Sequence, residues 1–340
     1  MPSASRKGAD VGVLALVFCL GAAASLAASA VLVSRLERLG ERLGMPEALL
    51  GLLAALAADA PEISAAVTAL VSGQRDVGVG VVLGSNVFNL AALLGLGAVV
   101  AGRVALHPKV VIFEGVVALW MAMASVGAVT GLISPSVGLA VVLSVFLPYA
   151  ALSAVRPASR YRLPLPPRWR RWLASAVAEE ESGLSAAVHP GNGGRNDLAV
   201  ACLALVVVVG ASTAVERAAS TAGVRYAVPG IVVGGIVLAA VTSLPNAVAA
   251  VYLATRGRGA AMLSEAMNSN TLNVVAGLFV PAVAIGLGRP SGSELLVAAC
   301  YAGLTLCTLA LALAGRGLGR RTGGLIIAAY LVFAWVLVTR

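Results

Sequence analysis

Two short polar stretches interrupt long apolar segments of this chain, and each is a copy of the other. Pro61 stands as far before Ser85 as Pro245 stands before Ser269, so the two regions superimpose without a gap at an offset of 184 residues. A polar break that is repeated inside apolar helices is typical of transporters built from internal repeats. The duplication therefore predicts a fold with two related halves and an ion site at the breaks.

Composition shows which solvent surrounds most of the chain. Of its 340 residues, 59% are hydrophobic and only 11% are charged, and the mean hydropathy is +0.95. Such a chain must place most of its surface against lipid. The net charge of +9 does not indicate nucleic-acid binding, because the Arg residues are scattered among short loops rather than clustered on a soluble domain. The partners we expect are the lipid bilayer and inorganic cations, with no nucleic acid, no obligate protein partner and no cofactor.

Ten apolar runs are long enough to span a bilayer, at roughly 20 residues each. They form two sets of five, and because five is odd, the second set enters the membrane with the opposite orientation. The sequence therefore predicts an all-α polytopic membrane protein whose ten transmembrane helices form two inverted five-helix repeats. The runs lie near 11–34, 45–72, 77–100, 108–129, 133–155, 198–216, 227–254, 261–286, 293–314 and 323–339.

The charges of the loops predict the orientation. If the N-terminus is outside, 17 of the 24 Lys and Arg residues fall on the inside, as the positive-inside rule requires. The first repeat then covers 1–155 with its motif at 51–95, and the second covers 198–340 with its motif at 235–279. Residues 156–197 are predicted to be a cytoplasmic linker or small helical hairpin. We expect a multi-pass protein of the bacterial cell (inner) membrane.

The two prolines predict where helices break and leave oxygen ligands free. Proline lacks an N–H and collides with the carbonyl four residues earlier, so Pro61 and Pro245 should free the carbonyls of Ala57 and Val241. Such carbonyls need a partner in hydrocarbon, and a dehydrated cation is one. Hard cations such as Ca2+ and Na+ bind mixtures of carboxylate, carbonyl, hydroxyl and amide oxygen. The ligands beside the prolines are Asp59 and Glu62 in the first repeat, and Thr242, Ser243 and Asn246 in the second.

The helix after each break adds a second polar face. Ser85 and Asn89 are four residues apart, as are Ser269 and Asn273, so each pair shares one helix face. Two such faces related by a pseudo-twofold axis would form one central cation site. Glu265 extends the second face toward the cytoplasm. It is either a further ligand or a charge at the cytoplasmic mouth, and we favour the mouth.

The two carboxylates weigh most in the functional interpretation. Single Pro, Ser or Asn residues in membrane helices are commonly structural. A charge at the bilayer centre, in contrast, costs at least ~2.5–3.5 kcal/mol, so Asp59 and Glu62 require a function. An enzyme is not expected: Asp59 is the only Asp in the predicted spans, and neither His lies in one, which excludes the intramembrane aspartyl and serine proteases. A channel could use the same ligands, but inverted repeats with broken helices favour a carrier.

The duplicated motif resembles that of the sodium/calcium exchangers of the cation/Ca2+ antiporter superfamily. Members carry two inverted α-repeats with a pattern like G-T-S-L-P-E, and then a helix that starts near G-N-x-x-G-S-N-x-F-N. The resemblance implies ten helices, Ca2+ and Na+ sites at mid-membrane, and exchange of Ca2+ against Na+ by sliding of a two-helix gate past the other eight helices. The matching stretches are 57–62 with 84–89 in the first repeat, and 241–246 with 268–273 in the second.

Three departures from the family pattern leave the coupling ion open. Asp59 stands where the family usually has a small hydroxyl residue, Asn246 stands where its second glutamate belongs, and Glu265 replaces the common Asn of G-N. One carboxylate has therefore changed sides, and Asp59 with Glu62 still supplies two negative charges, enough to neutralise one Ca2+. Two acids three residues apart also favour a bound proton. A proton-coupled cation exchanger, H+/Ca2+ or Na+/H+, is therefore the alternative.

Overall fold

The computed structural model describes residues 4–160, 164–184 and 196–340, and in these ranges the chain is almost entirely helical. The helices up to residue 160 are α1 (Ala4–Arg42), α2 (Glu47–Ala58), α3 (Ala60–Val71), α4 (Arg75–Asn89), α5 (Gly97–Ala101), α6 (Pro108–Val129), α7 (Pro135–Ala154) and α8 (Pro157–Arg160). The later helices are α9 (Pro167–Leu184), α10 (Asp197–Arg225), α11 (Gly230–Val232), α12 (Ala239–Thr242), α13 (Leu244–Thr255), α14 (Gly259–Leu272), α15 (Val280–Ile285), α16 (Gly292–Ala314) and α17 (Arg320–Thr339).

Three π-helical segments and one small ribbon complete the architecture. The π-helical segments continue α4, α11 and α14, and cover Leu90–Leu96, Val233–Leu238 and Asn273–Phe279. Two short strands, β1 (Arg103–Ala105) and β2 (Gly317–Gly319), pair antiparallel and join the loop after α5 to the loop before α17. π-helical turns are frequent at functional sites, and two of these begin at or directly after an Asn of the duplicated motif.

In the described ranges, eight helices are long and apolar enough to cross a membrane, and two bent pairs bring the number to ten. The bent pairs are α2 with α3, at 50°, and α11–α12 with α13, at 49°. Each pair is the second span of its half. The predicted all-α fold with ten membrane helices is therefore confirmed, and the two halves are built in the same order.

The bends lie where the duplicated prolines predict them. Asp59 (φ −80°, ψ −7°) and Ser243 (φ −85°, ψ 0°) separate the two helices of each pair, and a proline follows two residues later. Because Pro61 has no N–H, the carbonyl of Ala57 loses its helical donor. Ser29 of α1 donates its hydroxyl to that carbonyl at 3.0 Å. The first break is thus stabilised by a neighbouring helix.

The spans that carry the second polar faces occupy the centre of the bundle. Most residues of α4 and α14 are buried, whereas α1 faces outward along most of its length. A Cβ on Gly84 would lie only 2.4 Å from the Cα of Gly235, so this contact requires glycine. The close approach places the next residue, Ser85, in the middle of the bundle, where it is fully buried.

The first helices of the two halves, α1 and α10, pack against each other beside this centre. The hydroxyls of Ser25 and Ser212 are 2.7 Å apart between them. Near one end of the pair, Arg35 Nη1 lies 2.8 Å from Asp197 Oδ1. The pair is therefore held together by its own polar contacts as well as by apolar packing.

The predicted linker, 156–197, contains α8 and the 18-residue helix α9. Residues 161–163 and 185–195 of this segment lie outside the described residues. α9 packs against α2, α6 and α14, and Lys109 Nζ donates to Ser175 Oγ at 2.9 Å. The segment is therefore more than a connector, because one of its helices lies against the transmembrane core.

Candidate cation site

Asp59 and Glu62 lie together at the first bend and are removed from solvent. Their side chains are 0% and 1% exposed. Asp59 occupies the bend itself and Glu62 lies in the first turn of α3. The positive end of the α3 dipole favours negative charge at this position, while the carbonyl end of α2 faces the same region and favours a cation. The break therefore places the N-terminal end of α3 near the carboxylates and the C-terminal end of α2 where a cation can bind.

The second bend donates hydrogen bonds to the first. Asn246 Nδ2 donates to Asp59 Oδ1 at 2.7 Å and approaches Glu62 Oε1 at 3.4 Å. Ser269 of α14 donates its hydroxyl to Asp59 Oδ1, also at 2.7 Å. The residues of the second repeat thus solvate a carboxylate of the first. Asn246 itself is 0% exposed.

Glu62 is surrounded by polar groups of both repeats. Asn273 Nδ2 donates to Glu62 Oε2. The hydroxyls of Ser85 and Ser243 also face this carboxylate, without forming a hydrogen bond of ordinary geometry. The two carboxylates therefore accept hydrogen bonds from amide and hydroxyl groups. Other hydroxyl oxygens lie close to them.

Two asparagines that sequence reasoning missed complete the centre. Asn86 Nδ2 donates to the Asn270 carbonyl at 3.1 Å, and Asn270 Nδ2 donates to the Asn86 carbonyl at 3.2 Å. Asn89 Nδ2 reaches Asn270 Oδ1 at 3.1 Å, and Asn273 Nδ2 reaches Asn86 Oδ1 at 3.2 Å. These bonds are pairwise symmetric about the pseudo-twofold axis. In the sequence, the only indication of their role is that Asn86 and Asn270 stand at the same 184-residue offset as the rest of the motif.

Six buried oxygen atoms at this centre have no hydrogen-bond partner. Buried oxygens without partners are costly, and a cluster of them calls for a ligand. Carboxylate, hydroxyl and amide oxygens are the donor types that Ca2+ and Na+ take. The six atoms are Asp59 Oδ2, Ser85 Oγ, Asn89 Oδ1, Ser243 Oγ, Asn246 Oδ1 and Asn273 Oδ1.

The charge of the site is not balanced by basic side chains. Among the described residues, ion pairs join Arg35 with Asp197, Arg75 with Glu294 and Arg160 with Glu181, and no basic side chain pairs with Asp59 or Glu62. Two buried carboxylates without a basic partner must be neutralised by bound cations or protons. This charge is the chemical signature of the site.

Two predicted ligands stand apart from this cluster. The hydroxyl of Thr242 donates to the Leu238 carbonyl at 2.8 Å and so closes its own helix. Glu265 is half-buried and lines a cavity of about 420 Å³ that also reaches Glu37, Glu47 and Asn246. Among the described residues there is no group of three or more Asp, Glu, His or Cys side chains suited to one metal ion, so Glu265 does not join Asp59 and Glu62. The remaining eight predicted ligands are all buried around the two bends.

The sequence matches a family of known proteins over most of its length. A sequence model described as sodium/calcium exchanger protein matches residues 13–172 and 197–339. A curated relative, the putative antiporter CaxA of Alkalimonas amylolytica, is 36% identical over 83 residues, which make up 24% of this chain and 26% of that protein. The match thus spans about a quarter of the relative's length.

Solved structures with the same fold include exchangers of two kinds. The crystal structure of the H+/Ca2+ exchanger CAX superposes with a TM-score of 0.71 at 14% identity, covering 96% of this chain and 85% of that one. The sodium-calcium exchanger NCX_Mj, soaked with Na+ and Sr2+, superposes with a TM-score of 0.62 at 20% identity, covering 95% and 97%. These likenesses establish the fold.

Proposed function

Because the chain belongs to the sodium/calcium exchanger protein family, we propose that it is a secondary active antiporter that exchanges Ca2+ against Na+ by alternating access. The family consists of membrane transporters, so the chain is a transporter rather than an enzyme. Within that class, the proposal assigns the cargo to the cluster around Asp59 and Glu62. The lipid bilayer and inorganic cations are its only proposed partners.

The observation that carries the proposal is the pair of buried carboxylates without a basic partner. One Ca2+ neutralises the pair, and six oxygens without hydrogen-bond partners, one of them on Asp59 itself, belong to this cluster. Ca2+ takes six to eight oxygen ligands, at about 2.3–2.6 Å. We assign Asp59, Glu62, Ser85, Asn89, Ser243, Asn246, Ser269 and Asn273 as the ligand cluster, with Thr242 as support for the second bend and Glu265 at the mouth.

Charge competition gives the exchange its mechanism. Na+ ions neutralise the same carboxylates and use the same oxygens, so they displace Ca2+ rather than bind beside it. A site with uncompensated charge is expensive to move through a low-dielectric barrier, whereas a filled site is not. Alternation between the two membrane faces is therefore tied to occupancy, and the protein exchanges ions instead of leaking them.

The access route in this conformation is the cavity at Glu265. Its lining follows α1 from Glu37 to Ser29 and α2 from Glu47 to Ala58, and it touches Asn246. We propose that this is the cytoplasmic route, with the N-terminus outside and the protein in the bacterial inner membrane. The supporting observation is that 17 of the 24 Lys and Arg residues fall on the inside in that orientation. The α1–α10 pair, which packs beside the centre, is the proposed moving gate.

A proton-coupled exchanger is the second candidate, and a specific observation favours it. Asp59 and Glu62 come from adjacent turns of one broken helix and share the donor Asn246. Two carboxylates this close favour a state in which a proton is bound. Protons can therefore neutralise the pair as Na+ does. The fold is compatible with either coupling ion, because CAX and NCX_Mj both have it.

Ca2+ flux into proteoliposomes that contain the purified protein tests both candidates. An outward Na+ gradient at equal pH should drive Ca2+ uptake, and collapse of that gradient with a sodium ionophore should stop it. An imposed pH gradient without Na+ should drive little uptake. Uptake with the pH gradient alone would replace the proposal with the proton-coupled candidate. No uptake under either gradient would show that Ca2+ is not exchanged by these couplings.

A further inference from the structure

A large apolar groove lies between α6, α7 and α9, outside the cation site. Its volume is about 1300 Å³, above the roughly 300–1,000 Å³ of ordinary small-molecule pockets. Ile112 and Val116 of α6, Pro148 of α7 and Leu165, just before α9, form its walls. Ile112 and Val116 are exposed on a membrane span, so the groove opens toward lipid. It is therefore accessible from the bilayer.

α9 closes one end of this groove and is held firmly in place. Ala176 and Val177 are fully buried against the core, and Lys109 Nζ bonds to Ser175 Oγ. Trp169 and Trp172, nearer the start of α9, line the groove. Tryptophan is enriched where a membrane meets water, because its ring is apolar and its N–H is polar. The groove is thus preformed, and its closed end lies at a membrane interface.

Basic side chains stand at that closed end. Arg168 lines the groove, and Arg170 and Arg171 follow on the same helix. In the described ranges, the ion pairs do not include Arg168, so its guanidinium is available to a ligand. Arginine binds phosphate through two parallel N–H bonds, and each neighbouring basic residue adds attraction for an anionic membrane surface.

An apolar groove with an arginine at its interfacial end matches one ligand chemistry. We propose that this groove binds an anionic phospholipid, whose acyl chains lie between α6 and α7 and whose phosphate meets Arg168. A zwitterionic lipid carries a phosphate as well, but its own ammonium group competes with Arg168 for that phosphate and leaves no net attraction. The site therefore discriminates by headgroup charge, and it does so whichever ion the transporter couples to.

Tryptophan quenching by brominated lipids tests this binding directly. A Trp120→Phe/Trp335→Phe variant keeps only Trp169 and Trp172, because the chain has four tryptophans. It is reconstituted into phosphatidylcholine vesicles that contain a small fraction of either brominated phosphatidylglycerol or brominated phosphatidylcholine. The brominated phosphatidylglycerol should quench more strongly at equal mole fraction, by about fivefold in apparent affinity for each basic residue engaged.

Arg168→Gln and Arg171→Gln form a matched pair of controls in that background. Both remove one charge from α9, but Arg171 lies outside the groove, where its Nε donates to the Pro167 carbonyl. Arg168→Gln should abolish the preference for phosphatidylglycerol, and Arg171→Gln should retain at least half of it. Equal quenching by the two lipids would overturn the proposal. Equal losses in the two variants would also overturn it, because they would indicate a general surface charge rather than a site.

Discussion

The two helix breaks have the same backbone and opposite chemistry. Asp59 and Ser243 occupy equivalent positions at bends of 50° and 49°, and each precedes a proline by two residues. The first break carries both carboxylates of the site, whereas the second carries a hydroxyl and the amide of Asn246. The comparison teaches that the two breaks keep the same backbone geometry although the charge of the candidate site lies in one half only.

This division has a physical basis. The attraction that a bound cation feels depends mainly on the total charge of the carboxylates within a few Å, and less on which half carries them. The positions of the oxygen ligands, in contrast, depend on where the broken helices meet. Hydrogen bonds across the pseudo-twofold axis run from the neutral side chains of the second half to the carboxylates of the first. Asn246 and Ser269 both donate to Asp59, and no equivalent donation runs the other way.

Removing both charges is expected to have the largest effect. Asp59→Asn with Glu62→Gln leaves the oxygen shell and the backbone symmetry but takes away the charge, so Ca2+ flux in proteoliposomes should fall to background. Glu216→Gln is the matched control, because Glu216 is an equally buried acid on α10 that accepts from Ser220 at 2.8 Å, away from the site. The control should transport normally. Flux retained in the double variant would refute the assigned site.

Moving a charge across the axis should sharpen the comparison. Glu62→Asn alone removes one of the two charges that neutralise a buried Ca2+, which costs about 3–5 kcal/mol, or roughly two to four orders of magnitude in Ca2+ affinity. Combining it with Asn246→Glu returns the lost charge to the other half, and most of that affinity should return. Calorimetric Ca2+ titration of the two variants measures the difference. A combined variant as weak as the single one would mean that the charge must lie in the first half.

The symmetric serines should differ in what they stabilise. Ser269 donates to Asp59, whereas Ser85 has no hydrogen-bond partner. Ser269→Ala should lower the unfolding free energy of the ion-free protein by about 1.5–3 kcal/mol, the usual value for a bond to a charged group. Ser85→Ala should leave it unchanged and reduce only the stabilisation that Ca2+ provides. Thermal unfolding with chelator and with Ca2+ separates the two, and equal losses without Ca2+ would contradict the assignment.

The smallest effect is expected at the mouth. Glu265→Gln removes a charge from the entrance cavity but no ligand of the cluster, so the apparent KM for Ca2+ should rise only about two- to fivefold at low ionic strength. Added choline chloride should abolish this difference in KM between the variant and the unmodified protein. Salt screens the attraction between Glu265 and an approaching cation, since the Debye length is about 8 Å at physiological ionic strength. Glu41→Gln is the control, since Glu41 is on α1 but does not line the cavity. A salt-independent loss would make Glu265 a ligand.

Much of this centre could be predicted from the chain because its signals are local or periodic. The spans follow from apolar run length, and the bends follow from prolines that cannot continue a helix. Ser85 with Asn89, and Ser269 with Asn273, could be paired because a spacing of four residues fixes a shared face. Asn86 and Asn270 were missed as members of the centre because their role depends on contact between α4 and α14, which no spacing within one helix reveals.

Other features depended on distance in three dimensions. The sequence could not show that Ser29 donates a hydrogen bond to the Ala57 carbonyl, because the two residues belong to different helices. The position of α9 against α2, α6 and α14 could not be read from a segment rich in Arg, Pro and Gly. Thr242 and Ser243 look equivalent in the sequence, but only the Thr242 hydroxyl donates to a carbonyl of the preceding turn, which the sequence does not reveal.

The sequence by itself determined the membrane environment, the two related halves, the location of both breaks and the presence of two carboxylates at one of them. These follow from hydropathy, from the constant offset and from the missing N–H of proline, all of which are properties of the chain alone. The tertiary structure decided which polar groups solvate those carboxylates, which oxygens stay without partners, and that Glu265 lies apart. Those outcomes depend on how the helices pack, because a hydrogen bond across an axis requires both sides to be in place.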